Sequence, residues 1–274
     1  MTISKDPYII AEIGSNWVKS NCNIQNLVIA KEQITQAKLH HADAVKFQLF
    51  TAQDIYGPKV KGSDFEKRFD KFALPKDFVH VLADHAKKLD IDFMCSAFSR
   101  NGFKFVDPYV KVHKLASCEV FDENIIDWLF YFNKKPVYYS DGCGLPTEMF
   151  TKRKKDLRMA CVTDYPASLS DYDILSYKLP FGLSDHTQGN DLALISYSMG
   201  CRVFEKHVDF LSELSFDSPD SKTSMNQSDF LHYALNLKNY VLNRIDKPTL
   251  RSRYGRVRNE GNRYYRPIPG GEKI

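Results

Sequence analysis

The stretch GLSDHTQGNDLALISYSMGCRVFEKHVD, residues 182–209, reads as strand, helix, strand, with a histidine at the C-terminal end of each strand. FGLSDHT and RVFEKHV have strand character, and NDLALISYSMG between them has helical length and a glycine stop. A parallel βαβ unit brings the ends of its two strands to one edge of a sheet. His186 and His207 are therefore expected to face the same region. There two imidazoles could hold a metal, or each could be a hydrogen-bonded structural histidine.

The same alternation continues outward from this unit. PYIIAEIG (7–14) is an apolar run of buried parallel strand type, and NIQNLVIAKEQITQAKLHHA follows it at helical spacing. AVKFQLF (44–50) is a second strand whose two-residue period puts Lys46 and Gln48 on one face. Residues 51–72 are charged and show no clear period, which suggests a functional loop or lid. LPKDFVHVLADHAKKLD reads as a helix, DFMCSAF (92–98) as a strand, and RNGFKFVDPYV as a short helix. KVHKLAS (111–117) and PVYYSDG (136–142) are strands separated by the helical FDENIIDWLFYFN. PTEMFTKRKK is a short helix at best, LRMACVTD (157–164) a sixth strand, and SLSDYDILSYKL one or two helical turns. SMNQSDFLHYALNLKNYVLNRI closes with a long helix, N-capped near Ser224 or Ser228.

Eight strands alternating with helical connections predict an α/β fold, a (β/α)8 TIM barrel, and 274 residues suit the ~250 typical of one. An open doubly wound sheet is the alternative. Its dinucleotide form requires GxGxxG after the first strand, which EIGSNW does not supply. The expected organisation is one barrel domain over 1–245 and a basic tail over 246–274. From Arg244 onward there are nine Lys and Arg against three Asp and Glu, or +6, so a net charge of +4 leaves −2 for the rest. A basic tail can bind nucleic acid or acidic membrane. This one lacks the length and aromatic–glycine pattern of a binding module, which favours a linker or partner-docking arm.

No apolar run approaches the ~18–20 residues of a membrane span. The start MTISKDPYII lacks the charged, apolar and small-residue regions of a signal peptide, so a cytoplasmic location is the expectation. Six cysteines, at 22, 95, 118, 143, 161 and 201, form no CxxC pair. That usage suits a reduced chain with packing cysteines rather than a disulfide or zinc framework. Cys143, beside glycines in DGCG, is the one whose surroundings suggest reactivity.

Glu12, Lys46, Gln48, Ser96, Lys114, Ser117, Glu119, Ser140, Thr163, Tyr165, Ser184, His186 and His207 fall near the C-terminal ends of the strands. Barrel active sites are built at that end. Two lysines in apolar strands, with serines at corresponding depth, read as a buried anion site of phosphate type.

Taken together, IAEIGSN, DAVKFQLF, FMCSAF, KLASCE, YSDG, CVTDYP, GLSDHTQG, EKHV and SPDSKTSM resemble the N-acetylneuraminate (sialic acid) synthase family over about residues 8–226. The resemblance implies condensation of phosphoenolpyruvate with an N-acetylated hexosamine, such as N-acetylmannosamine, to a nonulosonic acid with release of phosphate. It places Lys46, Ser96, Lys114, Ser117, Ser140, Thr163 and Ser184 at phosphoenolpyruvate. Glu12, Gln48, Tyr165 and Asp220 fall at the acceptor sugar, His186 and His207 at a divalent metal, and Glu119 near the reacting carbons. Mn2+ is the expected metal, with Mg2+ or Co2+ as alternatives.

Several positions depart from the family pattern. Trp17 stands where a histidine is usual, Thr163 where an asparagine is usual, and SDG replaces STG after the fifth strand. Family members continue into an antifreeze-like domain, and NRYYRPIPGGEKI resembles the start of the linker to it. A homodimer and a separate chain carrying such a domain are the macromolecular partners that follow from the resemblance. Two other functions remain open here: another phosphoenolpyruvate–aldose synthase of the 3-deoxy-ulosonate type, and a non-catalytic barrel that binds a sugar or a partner.

Overall fold

Eight short segments pair in parallel with their chain neighbours: β1 (Tyr8–Gly14), β2 (Ala44–Leu49), β3 (Asp92–Ala97), β4 (His113–Leu115), β5 (Val137–Ser140), β6 (Leu157–Ala160), β7 (Gly182–Asp185) and β8 (Val203–His207). β8 also pairs with β1, so the sheet closes into the expected barrel. The computed structural model describes residues 6–145, 153–214, 216–239, 258–260 and 263–265.

The two-residue period of each strand sorts side chains into two populations. Outward residues such as Ile9, Ala11, Val45, Phe47, Cys95 and Phe204 pack with the helices in one continuous core. Inward residues Ile10, Ala44, Met94, Tyr138, Leu157, Met159 and Val203 form a separate cluster that plugs the N-terminal end of the barrel. Gly182 belongs to this packed interior, because a Cβ there would come within 3.0 Å of the Met159 side chain. Above the plug the inward positions turn polar.

Helices Asn23–Leu39, Lys76–Lys88, Asp191–Ser198 and Gln227–Lys238 lie where periodicity puts them. Two expectations need correction. Segment 51–72 is not a plain loop but two short helices, Ala52–Tyr56 and Asp64–Asp70, joined by a 3-10 turn. Helices of five and seven residues complete too few turns to show a period, and their signal lies in the caps. Thr51 and Asp54 form a reciprocal capping box, and Ser63 accepts from the Glu66 N–H. SLSDYDILSYKL forms two 3-10 turns, within the one or two helical turns expected. Finally, the last helix is capped by Asn226, whose side chain accepts the Asp229 N–H at 2.9 Å. Ser224 instead accepts from Asn16 Nδ2 at 2.7 Å and donates to the Asp220 carbonyl at 2.8 Å.

Most of PTEMFTKRKK and of the 246–274 tail lies outside the described residues. Of the tail, Arg258–Glu260 (β9) and Arg263–Tyr265 (β10) pair antiparallel. All six cysteines are free, and no described helix is long and apolar enough to cross a membrane.

A deeply buried ion pair lies outside the barrel interior. Lys206, 1% exposed, lies 3.2 Å from Asp185 Oδ2 and over the Tyr233 ring of the closing helix. Asp185 also accepts the Thr187 N–H and hydroxyl. Breaking a buried pair on one side leaves an uncompensated charge, so Asp185→Ala is expected to cost about 3–5 kcal/mol in denaturant unfolding. The double variant Asp185→Leu/Lys206→Met should recover most of that loss; if it is no more stable than Asp185→Ala, charge burial is not the cause.

Candidate active site

The C-terminal end of the barrel opens into a cavity of about 500 Å³. Its floor is built by strand register. Glu12 of β1 lies beside Lys46 of β2 and His207 of β8, Ser96 of β3 beside Lys114 of β4, and Ser184 of β7 beside Glu205 of β8. Lys46 Nζ is 2.8 Å from Glu12 Oε2 and donates to Ser96 Oγ at 3.0 Å. Lys114 Nζ donates to Ser140 Oγ at 2.7 Å. Both ammonium groups sit 3.6 Å from the same atom, Glu205 Oε1, which also accepts from Ser184 Oγ at 3.2 Å.

The floor thus alternates in charge, with Glu12 against Lys46 and Glu205 between Lys46 and Lys114. Burial opposes the charged form of Lys46, but Glu12 and Glu205 more than offset it and hold the group above the ordinary lysine range. Burial dominates at Lys114 and lowers its pKa, because Glu205 compensates only in part. Glu12 is raised by burial despite Lys46, whereas Glu205, equally buried, is held below the usual carboxylate range by the two lysines.

His186 and His207 stand above this floor with ring centroids 5.6 Å apart. The His186 Nδ1–H donates to the Val162 carbonyl at 2.5 Å, which fixes the tautomer and leaves Nε2 available as a ligand. Burial pulls His186 down to about 4 and lowers His207 as well, so both rings are neutral at pH 7. A neutral ring is the state in which imidazole binds a metal. Among the described residues no group of three or more His, Cys, Asp or Glu side chains forms a metal cage. A metal here would have two protein nitrogens, with its remaining positions open to water and substrate.

Asp220 closes one side of the cavity. Its Oδ2 accepts from the Ser15 N–H at 2.7 Å and the Ser15 hydroxyl at 2.6 Å, and its Oδ1 lies 3.7 Å from His207 Nδ1. Gly14 permits this approach: its φ is +55°, and a Cβ would fall 2.4 Å from Asp220 Oδ2. Gln48 donates to Glu12, and the Tyr165 ring packs 4.1 Å from that of His186 at the rim. Ser117 Oγ accepts the Gly142 N–H at 3.3 Å, and Thr163 lines the same wall.

Thirteen of the fourteen site residues expected from the sequence therefore line one cavity. Glu119 is the exception. It is buried in the turn after β4, not among the lining residues, and its charge acts on the Cys143 thiol. Two features were not anticipated. Glu205 is the shared counter-ion of both lysines, and the alternation in VFEKH that turns His207 inward also turns Glu205 inward. Phe50, Ile55, Tyr56, Phe69, Phe98 and Pro219 form an apolar wall, half of it carried by the capped helices of segment 51–72. Trp17 does not enter the cavity: it is buried edge-on against Phe78, with ring centroids 5.8 Å apart.

A family profile described as the NeuB family matches residues 33–243. This chain belongs to the NeuB family. Its relatives include the pseudaminic acid synthase of Helicobacter pylori, 28% identical over 263 residues covering 86% of this chain and 75% of that protein. The N,N'-diacetyllegionaminic acid synthase of Legionella pneumophila is 29% identical over 80% of this chain and 67% of its own length. The crystal structure of N-acetylneuraminic acid synthetase from Leptospira borgpetersenii shares the fold, with a TM-score of 0.71, 20% identity, and coverage of 89% of this chain and 88% of that one.

Because its pKa is depressed, the Lys114 ammonium is present below that value and lost as pH rises through it. Sulfate keeps its charge over this range, so its affinity for the cavity should be highest at low pH and fall as Lys114 deprotonates. In Lys114→Arg, whose guanidinium stays protonated, the pH dependence measured by calorimetry should flatten. An equal slope in both proteins would place the titration elsewhere.

Proposed function

We propose that the barrel, residues 1–245, condenses phosphoenolpyruvate with an N-acetylated amino sugar of the N-acetylmannosamine type to give a nonulosonic acid and inorganic phosphate, with 246–274 as a linker. The observation that carries this reading is the floor itself. Two lysines, each paired with a barrel serine and sharing one glutamate, lie directly beneath two neutral histidines. Lys46 with Ser96 and Lys114 with Ser140 supply charge and hydroxyl donors to the phosphate and carboxylate, joined by Ser117, Thr163 and Ser184.

His186 and His207 would hold a divalent cation, Mn2+ by ligand preference, with Mg2+ or Co2+ as alternatives. The donor set fits, being neutral, convergent and incomplete. Charge balance points the same way, because the two ammonium groups already face Glu12 and Glu205, and a polyanionic substrate would leave the cavity strongly negative. When bound, such a cation supplies Lewis-acid polarisation of an aldehyde oxygen.

In the reaction the methylene carbon of the enol phosphate attacks the aldehyde carbon, water adds to the former enol carbon, and the C–O bond to phosphate breaks. The lysines hold the leaving phosphate as its charge develops. Glu12, raised by burial and oriented by Gln48, is placed to exchange a proton with the nascent hydroxyl. Glu205, 3.6 Å from both ammonium groups, is the carboxylate we place near the reacting carbons, where the resemblance would put Glu119. Tyr165 and Asp220 border the acceptor side. The apolar wall opposite carries no further cation among its described residues, which favours a neutral acetamido sugar over an aldose phosphate.

Phosphate release with phosphoenolpyruvate, Mn2+ and a panel of N-acetylhexosamines and aldose phosphates tests the reading. Turnover with the former only is expected, and turnover with aldose phosphates alone would replace it by the 3-deoxy-ulosonate reaction. Lys46→Ala or Lys114→Ala should raise the KM for phosphoenolpyruvate roughly tenfold to a hundredfold, the worth of a charged hydrogen bond. An unchanged KM in both variants would overturn the assignment of the floor.

A further inference from the structure

The chemistry above leaves two thiols unused. Cys118 heads the turn after β4, one residue beyond Ser117, and lines the cavity. Cys143 lies in the turn after β5, half-buried and outside the lining. Their sulfurs are 3.2 Å apart and both are free thiols.

Backbone on both sides holds this approach in place. Gly142 N–H donates to Ser117 Oγ, and a Cβ on Gly142 would lie 3.1 Å from both that oxygen and Thr163 Cγ2. Glycine is thus what lets the two turns come this close. Gly144 N–H closes its turn on the Asp141 carbonyl at 2.8 Å. The buried Asp141 carboxylate is in turn fixed by the Cys161 N–H and by Arg158 Nε. Opposite, Glu119 N–H closes on the Ala116 carbonyl at 3.2 Å. The two sulfurs therefore face each other across anchored turns, which is what a disulfide requires of its flanking backbone.

We propose that Cys118 and Cys143 form a modification site, a dithiol that peroxide converts reversibly to a disulfide, and that this bond weakens anion binding in the cavity. The first sulfur attacks a peroxide oxygen, the O–O bond breaks, and one water leaves, giving a sulfenic acid. The second sulfur then attacks the sulfenic sulfur, the S–O bond breaks, and the hydroxide departs with the second thiol's proton as another water. Two thiols and one hydrogen peroxide thus give a disulfide and two waters. The Cys143 thiol is held protonated, first by its hydrogen bond with Cys118 and then by burial, so the attack starts at Cys118, reached through the cavity.

Contraction to the ~2.05 Å of a disulfide draws the 141–144 turn toward Ser117. Ser117 and Ser140 flank the two ends of this link; both line the cavity, and Ser140 Oγ accepts from the Lys114 ammonium at 2.7 Å. Moving them relative to that ammonium lowers the affinity for an anion. This second half of the proposal rests on the reading of the floor as an anion site.

The test uses the whole chain, treated with hydrogen peroxide and mapped by mass spectrometry without reduction. The expected product is a linked Cys118–Cys143 peptide pair lighter by two hydrogen atoms, restored to free thiols by dithiothreitol. Calorimetry with sulfate should then show affinity lower by roughly fivefold in the oxidised chain, about 1 kcal/mol. Cys143→Ser, outside the lining, should bind sulfate like the reduced protein and give no linked peptide pair after peroxide, because Cys118 then has no second thiol to close on. Thiols left unlinked, links to Cys161, or oxidation only to sulfinic acid would overturn the modification site. A Cys118–Cys143 link without loss of sulfate affinity would overturn its effect. If even the reduced chain fails to bind sulfate, the anion-site reading falls, while the peptide map still decides the thiol pair.

Discussion

Two ammonium groups buried at the centre of a barrel must be neutralised before the barrel can close around them. Each costs several kcal/mol to desolvate, on the order of what a small domain has in hand as net stability. Glu12 and Glu205 meet that requirement at Lys46, and Glu205 alone at Lys114. The unequal sharing matters. Lys46 is over-compensated and stays charged, whereas Lys114 is under-compensated and gains most from an incoming anion. The cavity floor is therefore poised rather than satisfied, as expected of a site that exchanges its own counter-ions for a substrate's charge.

The rest of the structure holds this floor at a fixed depth. Beneath it the apolar plug of Ile10, Met94, Tyr138, Met159 and Val203 excludes water from the N-terminal end. Around it the β1 loop is tied down by polar contacts that cross most of the chain. Asn16 donates to the Val208 carbonyl and to Ser224, while Gln33 and Lys19 both reach Asp209. Asp220 is clamped to Ser15 by the same kind of long-range bond. The position of Asp220 at the cavity thus depends on the closure of β8 against β1, the last pairing in the sheet.

The two faces of the cavity are built by different physics. The charged floor is made of strand residues whose direction the pleat dictates, and it cannot drift without unpairing the barrel. The opposite wall comes from short capped helices and loop aromatics, which can vary without disturbing the sheet.

Much of this was legible in the residues themselves. Alternation of apolar strands with helical periods gave eight strands in the right order, and the two-residue period turned Lys46, Gln48, His186 and His207 inward. Glu205 was equally legible in VFEKH, though the histidine drew the attention. Segment 51–72 resisted because helices of five and seven residues carry no readable period. Glu119 resisted because proximity in sequence to Lys114 does not fix the direction of a side chain in a turn. The sequence by itself determined the barrel, the depth of its polar layer and the residue types in it, since these follow from local periodicity. The tertiary structure decided which charges meet: Glu205 between two lysines, Asp220 on the Ser15 turn, Cys118 against Cys143. Those contacts join segments far apart in the chain, and only closure of the sheet brings them within reach.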